Sequence, residues 1–315
     1  MDGTSRPPTP PSLGRPRRFC RGKLTRLASL LISIVLVTAC SSPAQRDNAA
    51  ADARSYVVRS VPATPFRVTA YLAPAERPST RPWHVYLTGD GTPWERGRHP
   101  SQDPTPRRPM ALELMDRDPG PRLLLHRPCY GRHPPDPACH PGLWTGGRYG
   151  ESVVDALDRA LDRLVAELEI DGVVLVGYSG GGLLARLLAG RREDVRALVT
   201  IAANLDHAAW TRRHGYLPLE GSLRLVDGPP LDARVLQWHL VGSRDSVVPA
   251  ALVRQAARHD PHARVEVVDG FDHRCCWAEH WPGLLERLLE GLDRLEGNLA
   301  ASPTRGEHRS PRWPR

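Results

Sequence analysis

No apolar run in this chain is long enough to cross a bilayer as a helix. The longest, residues 27–37, has eleven residues, whereas a span needs about 20. Lysine is almost missing: Lys23 is the only one, and the other 42 positive residues are Arg, a usage to which no function attaches. No internal repeat is visible, which sets aside solenoids and propellers. The 32 Pro and 27 Gly follow no collagen period and no linker monotony. The net charge of +8 has no folded home. Residues 1–39 carry +6 and residues 297–315 carry +3, leaving −1 between them. These sums give no support to a basic patch on a folded surface, and no nucleic-acid partner is expected. Hydrophobic content of 40% and charged content of 25% exclude wholesale disorder. At 315 residues the chain is too long for a disulfide-knot mini-protein and suits one large domain.

What is present begins with a targeting segment. Arg15, Arg17, Arg18, Arg21, Lys23 and Arg26 precede the apolar run, and Thr38-Ala39-Cys40-Ser41-Ser42 closes it. A positive region, a short apolar region and small residues describe a secretory signal over residues 1–39. Val37-Thr38-Ala39-Cys40 resembles the bacterial lipobox. That resemblance implies lipidation at Cys40 and a domain exported and anchored to the cell envelope, on the outer membrane or periplasmic face in a Gram-negative cell. A plain cleaved signal with an incidental Cys40 is the alternative. Residues 40–54, polar and Ala-rich, read as a tether, and residues 297–315, Ser/Pro/Arg-rich, as a disordered tail. Four cysteines remain for the mature domain, and outside the cytoplasm a disulfide is permitted. Cys129 and Cys139 bracket a proline-rich loop whose cross-linking makes physical sense. Cys275 and Cys276 stay open: free, bonded together, or bonded elsewhere.

Between residues 55 and 296, short β-branched runs alternate with longer segments of helical period. That alternation predicts an α/β class, a mostly parallel, doubly wound sheet with helices on both faces. Residues 56–61 and 66–72 read as a leading hairpin, and 84–87, 122–126, 172–177, 195–202, 235–241 and 264–268 as strands. Residues 110–116, 151–168, 183–189, a segment opening at Pro249, and 277–295 read as helices. In the clearest of these, Val154, Leu157, Leu161, Leu164 and Leu168 share one face. Residues 205–232 lack a period and read as a cap or insertion over the sheet's C-terminal edge.

The chemistry sits where one buried strand meets a helix. Gly177-Tyr178-Ser179-Gly180-Gly181 is a G-x-S-x-G at that junction, the sharp turn that exposes a serine Oγ and tolerates only tiny residues two places either side. The N–H of Gly180 can then donate to a developing oxyanion. A serine hydroxyl needs a base to become a nucleophile, and the base needs an orienting carboxylate. The order expected for this turn is Ser, then Asp or Glu, then His, each after a later strand. Asp245 follows one such strand and His273 the last. Asp206 is the runner-up carboxylate; His207, His239 and His280 are weaker bases. His273, Cys275, Cys276 and His280 lie close in sequence, but their spacing matches no common zinc pattern, so neither metal nor cofactor is expected.

This order and spacing resemble the α/β-hydrolase superfamily over roughly residues 54–295. In such enzymes the first oxyanion donor lies in the loop after the third strand, usually in a His-Gly-x motif. Here Thr88-Gly89-Asp90-Gly91 stands in that place without the His, which assigns the N–H of Asp90 by position, with Gly91 the alternative. More narrowly, Gly-Asp-Gly-Thr-Pro-Trp, Asp103-Pro104-Thr105-Pro106, Arg127-Pro128-Cys129 and Asn204-Leu205-Asp206-His207 resemble a poorly characterised group of exported bacterial hydrolases. The expectation is a serine hydrolase, esterase- or lipase-like, taking a small acyl substrate as ester, thioester or amide. An acyltransferase, or a non-catalytic envelope lipoprotein using the fold to bind, is the alternative. Nothing in the sequence speaks to oligomeric state.

Overall fold

Val173–Tyr178 is apolar at nearly every position because both of its faces are covered. Val173 and Leu175 point into one core, Val174 and Val176 into another, as period-2 alternation requires of a central strand. A computed structural model describes residues 41–74, 81–131 and 136–301. In chain order they form α1 (Pro43–Asp52), β1 (Val57–Ala63), β2 (Phe66–Leu72), β3 (Trp83–Leu87), β4 (Trp94–Glu95), β5 (His99–Pro100), α2 (Met110–Asp116) and β6 (Arg122–Leu125). There follow α3 (Glu151–Leu168), β7 (Val173–Tyr178), α4 (Gly180–Ala189), β8 (Val195–Ile201), α5 (His207–His214), β9 (Leu236–Gly242), α6 (Ala250–Ala257), β10 (Arg264–Val268) and α7 (Trp277–Ala301).

The main sheet has eight strands in the order β1-β2-β6-β3-β7-β8-β9-β10. Its leading hairpin pairs antiparallel and joins β6 antiparallel; every later pairing is parallel. Helices α3, α4 and α6 cover one face; α2 and α7 cover the other. Each fully buried Leu or Val in these layers contributes about 1.5–3 kcal/mol. The parallel strands all end on one edge, where ligands bind in such sheets.

Two boundaries differ from expectation. The stretch expected to be a tether folds as α1 and docks on the sheet. Its start carries a capping box, with Gln45 N–H donating to Ser42 Oγ (3.2 Å) and Ser42 N–H to Gln45 Oε1 (2.8 Å). The Ala44 N–H donates to Asp103 Oδ2 (2.9 Å). The buried Asp47 carboxylate accepts from the Tyr71 hydroxyl (3.2 Å) and lies 3.1 Å from His126 Nε2. Ala-rich composition suggested slack, but Ala is the best helix former. At the other end, α7 runs through Gly297 to Ala301, so the expected tail begins later than 297. Residues 1–40 and 302–315, which hold the signal, Cys40 and most of the tail, lie outside the described residues.

The 205–232 insertion leaves β8 and returns at β9, burying Leu219, Leu225 and Leu231 in the core. None of its residues lines the cleft around Ser179, so it stands beside that cleft and does not roof it. Cys129 and Cys139 are joined, S–S 2.02 Å, and Cys275 is joined to Cys276. Closing a loop of sequence separation 10 restricts the unfolded chain by about 3 kcal/mol. Replacing Cys129 and Cys139 together with Ser should therefore lower the urea midpoint by a matching amount; an unmoved midpoint would show that the bridge constrains nothing.

Candidate active site

Ser179 occupies the turn between β7 and α4 with φ 52° and ψ −123°, a backbone region that L residues rarely enter and that marks functional turns. The turn is this tight because its neighbours are glycines. A Cβ on Gly177 would strike the Gly181 carbonyl, and one on Gly181 would strike the Leu87 carbonyl at the end of β3. The strain lifts the Ser179 side chain out of the sheet, where it stays half-buried.

The loops after β9 and β10 supply what meets it. They are tied to one another: Ser243 N–H donates to Val268 O (2.9 Å) and Arg244 N–H to Phe271 O (2.8 Å). This stitching brings Asp245 and His273 together. His273 Nε2 lies 3.1 Å from Ser179 Oγ, and His273 Nδ1 lies 2.9 Å from Asp245 Oδ2. The Asp245 side chain is fully buried, and its other oxygen accepts the N–H groups of Val247 (2.9 Å) and Val248 (2.7 Å). The carboxylate is thus held without help from the imidazole. The Tyr178 hydroxyl donates to the His273 carbonyl (2.9 Å), and its ring leans on the imidazole with centroids 5.5 Å apart.

The remaining candidates lie elsewhere. Asp206 caps α5, accepting the Ala209 N–H at 2.9 Å. His207 contacts the Leu223 carbonyl and stacks on Tyr149. His239 is buried in β9, 2.8 Å from Thr200 Oγ1, and burial pulls its pKa down to about 4. His280 sits in α7 against the Cys276 carbonyl. None of them is bonded to Ser179.

Across the cleft, Thr88-Gly89-Asp90-Gly91 follows β3. Among the described residues, the N–H groups of Asp90 and Gly180 donate to no acceptor. The Asp90 carboxylate is fully engaged: Arg127 (2.7 Å), Arg148 (3.0 Å) and the Tyr149 hydroxyl (2.8 Å) all donate to it. Burial pushes this carboxyl up, but the two guanidiniums and the Tyr149 hydroxyl outweigh it and hold it below the usual range. Tyr130 adds a hydroxyl bond to the Asp90 carbonyl (2.9 Å). The cluster, one carboxylate against two arginines, leaves one buried positive charge behind the loop. Sequence reading missed Arg148 and Tyr149 altogether, because they reach Asp90 across 58 and 59 residues. The cleft itself, about 410 Å3, is lined by this loop, by residues 106–111 and by Tyr178, Ser179, His273 and Arg274. Among the described residues, no cluster of His, Cys, Asp and Glu is built to hold a metal ion.

Residues 123–237, about a third of the chain, match the family model described as alpha/beta hydrolase fold. No curated protein matches in sequence. Among solved structures, Est1E from Butyrivibrio proteoclasticus is 14% identical with a TM-score of 0.52, over 75% of this chain and 99% of that one. The Pyrococcus furiosus esterase Pf2001 is 12% identical with a TM-score of 0.53, over 77% and 92%. The strand order, the matched segment and these neighbours give the chain the α/β-hydrolase fold.

Proposed function

We propose that the protein is a serine hydrolase that cleaves an ester, thioester or amide through an acyl-enzyme. One observation carries this reading: the unbroken contact from Asp245 through His273 to Ser179, 2.9 Å and then 3.1 Å. Ser179 Oγ attacks the substrate carbonyl while His273 Nε2 takes its proton. The imidazolium then passes that proton to the leaving group as the carbonyl–leaving-group bond breaks. Asp245 keeps the proton of the neutral ring on Nδ1 and stabilises the cation. Water, deprotonated by the same nitrogen, releases the acid and restores the serine. The unspent N–H groups of Gly180 and Asp90 cradle the oxyanion, where one donor is worth about 3–4 kcal/mol. The net positive charge around Asp90 supports that role, since the carboxylate is neutralised before the oxyanion forms.

A fluorophosphonate probe tests the reading. The wild-type protein should be labelled covalently and Ser179→Ala should not; wild-type protein that resists the probe would leave the fold as a binding module. Attachment to the envelope is a further part of this proposal, supported by the lipobox-like stretch ending at Cys40 and by a disulfide suited to an oxidising compartment. Cys40→Ser should release the domain in soluble form, and a mutant that still partitions with membranes would refute the lipid anchor.

A further inference from the structure

The cleft beside Ser179 has a charged rim that the chemistry above leaves unused. Arg107 and Arg108 enter it from the segment before α2, and Arg274 from the loop that carries His273. All three are exposed. Among the described residues, none forms a salt bridge or a side-chain hydrogen bond to a carboxylate. Other arginines of the fold are paired: Arg59 with Glu167 at 2.6 Å, Arg191 with Glu151 and Asp155, Arg192 with Asp158, Asp162 and Asp194. What sets Arg107, Arg108 and Arg274 apart is that three arginines without a salt bridge converge on one cleft.

Three of the acidic groups nearby are already engaged. Asp90 is matched by Arg127 and Arg148. The Asp272 carboxylate accepts the backbone N–H groups of Arg274 and Cys275, both at 2.7 Å. Asp245 faces His273. Glu113, half-buried on α2, is a fourth carboxylate near the cleft; among the described residues it forms no salt bridge, and it offsets part of the positive charge. The arginine-bearing segment is also held in place. Pro106 and Pro109 restrict the backbone either side of Arg107-Arg108. Thr105, just before, is buried, with its N–H on Asp103 Oδ1 (3.1 Å) and its hydroxyl receiving the Gly131 N–H (2.9 Å).

Resting on the serine-hydrolase reading, we infer that Arg107, Arg108 and Arg274 select a substrate bearing a carboxylate or phosphate remote from the scissile carbonyl. Guanidinium forks suit both oxyanions. Each exposed contact is weak, but three acting on one anionic group favour an anionic substrate by about tenfold at low salt, an advantage that salt screens.

The test compares matched aryl esters: 4-acetoxybenzoate against its methyl ester, 4-nitrophenyl hydrogen terephthalate against its methyl ester, and 4-acetoxybenzylphosphonate against its diester. The readout is the ratio of anionic to neutral kcat/KM, in wild type and in R107Q/R108Q/R274Q, so that intrinsic ester reactivity cancels. A wild-type ratio that falls about tenfold in the variant and declines with added salt supports the inference. The pair with the larger fall identifies carboxylate or phosphate, on the acyl or the leaving side. A ratio that the triple substitution leaves unmoved in all three pairs overturns it. Fluorophosphonate labelling of Ser179 in both proteins reports folding and serine chemistry separately. Labelling with no anionic preference defeats this inference alone, and absence of labelling in wild type defeats the hydrolase reading and this inference with it.

Discussion

Asp245→Asn is expected to lower turnover by about 10⁴-fold while the fold stays intact. The amide oxygen can keep the two N–H bonds from Val247 and Val248 that anchor the side chain. What it loses is the acceptor facing His273 Nδ1. An amide NH2 in that place favours the tautomer with its proton on Nε2, and such a ring cannot take the proton of Ser179. Steady-state rates with an aryl ester, alongside circular dichroism, separate chemistry from folding. Asp206→Asn makes the control, because Asn caps a helix as well as Asp and should leave turnover near wild type. Near-normal activity in Asp245→Asn, with loss in Asp206→Asn, would reverse the assignment.

Asp90→Ala should be the most destabilising single substitution in the cleft. The Arg127 and Arg148 side chains are 1% and 7% exposed, and removing their shared carboxylate leaves two buried guanidiniums without a counter-charge. Breaking such a cluster costs about 3–5 kcal/mol, readable as a fall in the urea unfolding free energy. A loss under about 1 kcal/mol, the size of an exposed pair, would mean that water reaches the arginines. The sign of the pH dependence follows from the depressed Asp90 pKa. Near the ordinary carboxylate value the unfolded chain binds more protons than the folded one, so stability rises with pH there. The contribution is fully present above about pH 4 and disappears as pH falls through the lower folded value. Wild type and Asp90→Ala should therefore converge in stability under acid.

The sheet was legible because its signals are local. Val173 to Val176 announce a covered strand by unbroken hydrophobicity, and the spacing of Val154 to Leu168 announces an amphipathic helix. Strand followed by Gly-x-Ser-x-Gly followed by helix marked the turn at Ser179, and the order of the later strands pointed to Asp245 and His273. The rest depends on contacts that no window of sequence contains. Arg148 and Tyr149 look like ordinary residues before a helix until the fold brings them to Asp90. Helix α1 was hidden for a different reason. Its capping box at Ser42 and Gln45 was readable, but alanine-rich composition resembled a linker, and the burial of Asp47 against Tyr71 is visible only in three dimensions. The expected end of α7 at residue 295 falls short because the Ser/Pro/Arg-rich composition of 297–315 resembles a tail, whereas a helix already packed by Leu285, Leu288 and Leu292 carries through a single glycine.

Cys129 lies two residues beyond Arg127 and next to Tyr130, so the cross-link and both groups that grip Asp90 from that side share one short stretch of chain. The second cross-link, Cys275–Cys276, lies two residues beyond His273, so each side of the cleft carries a disulfide close to its polar groups. On the hydrolase reading proposed above, a thiol reductant would therefore bear on the loop that grips Asp90 and on the loop that carries His273 alike.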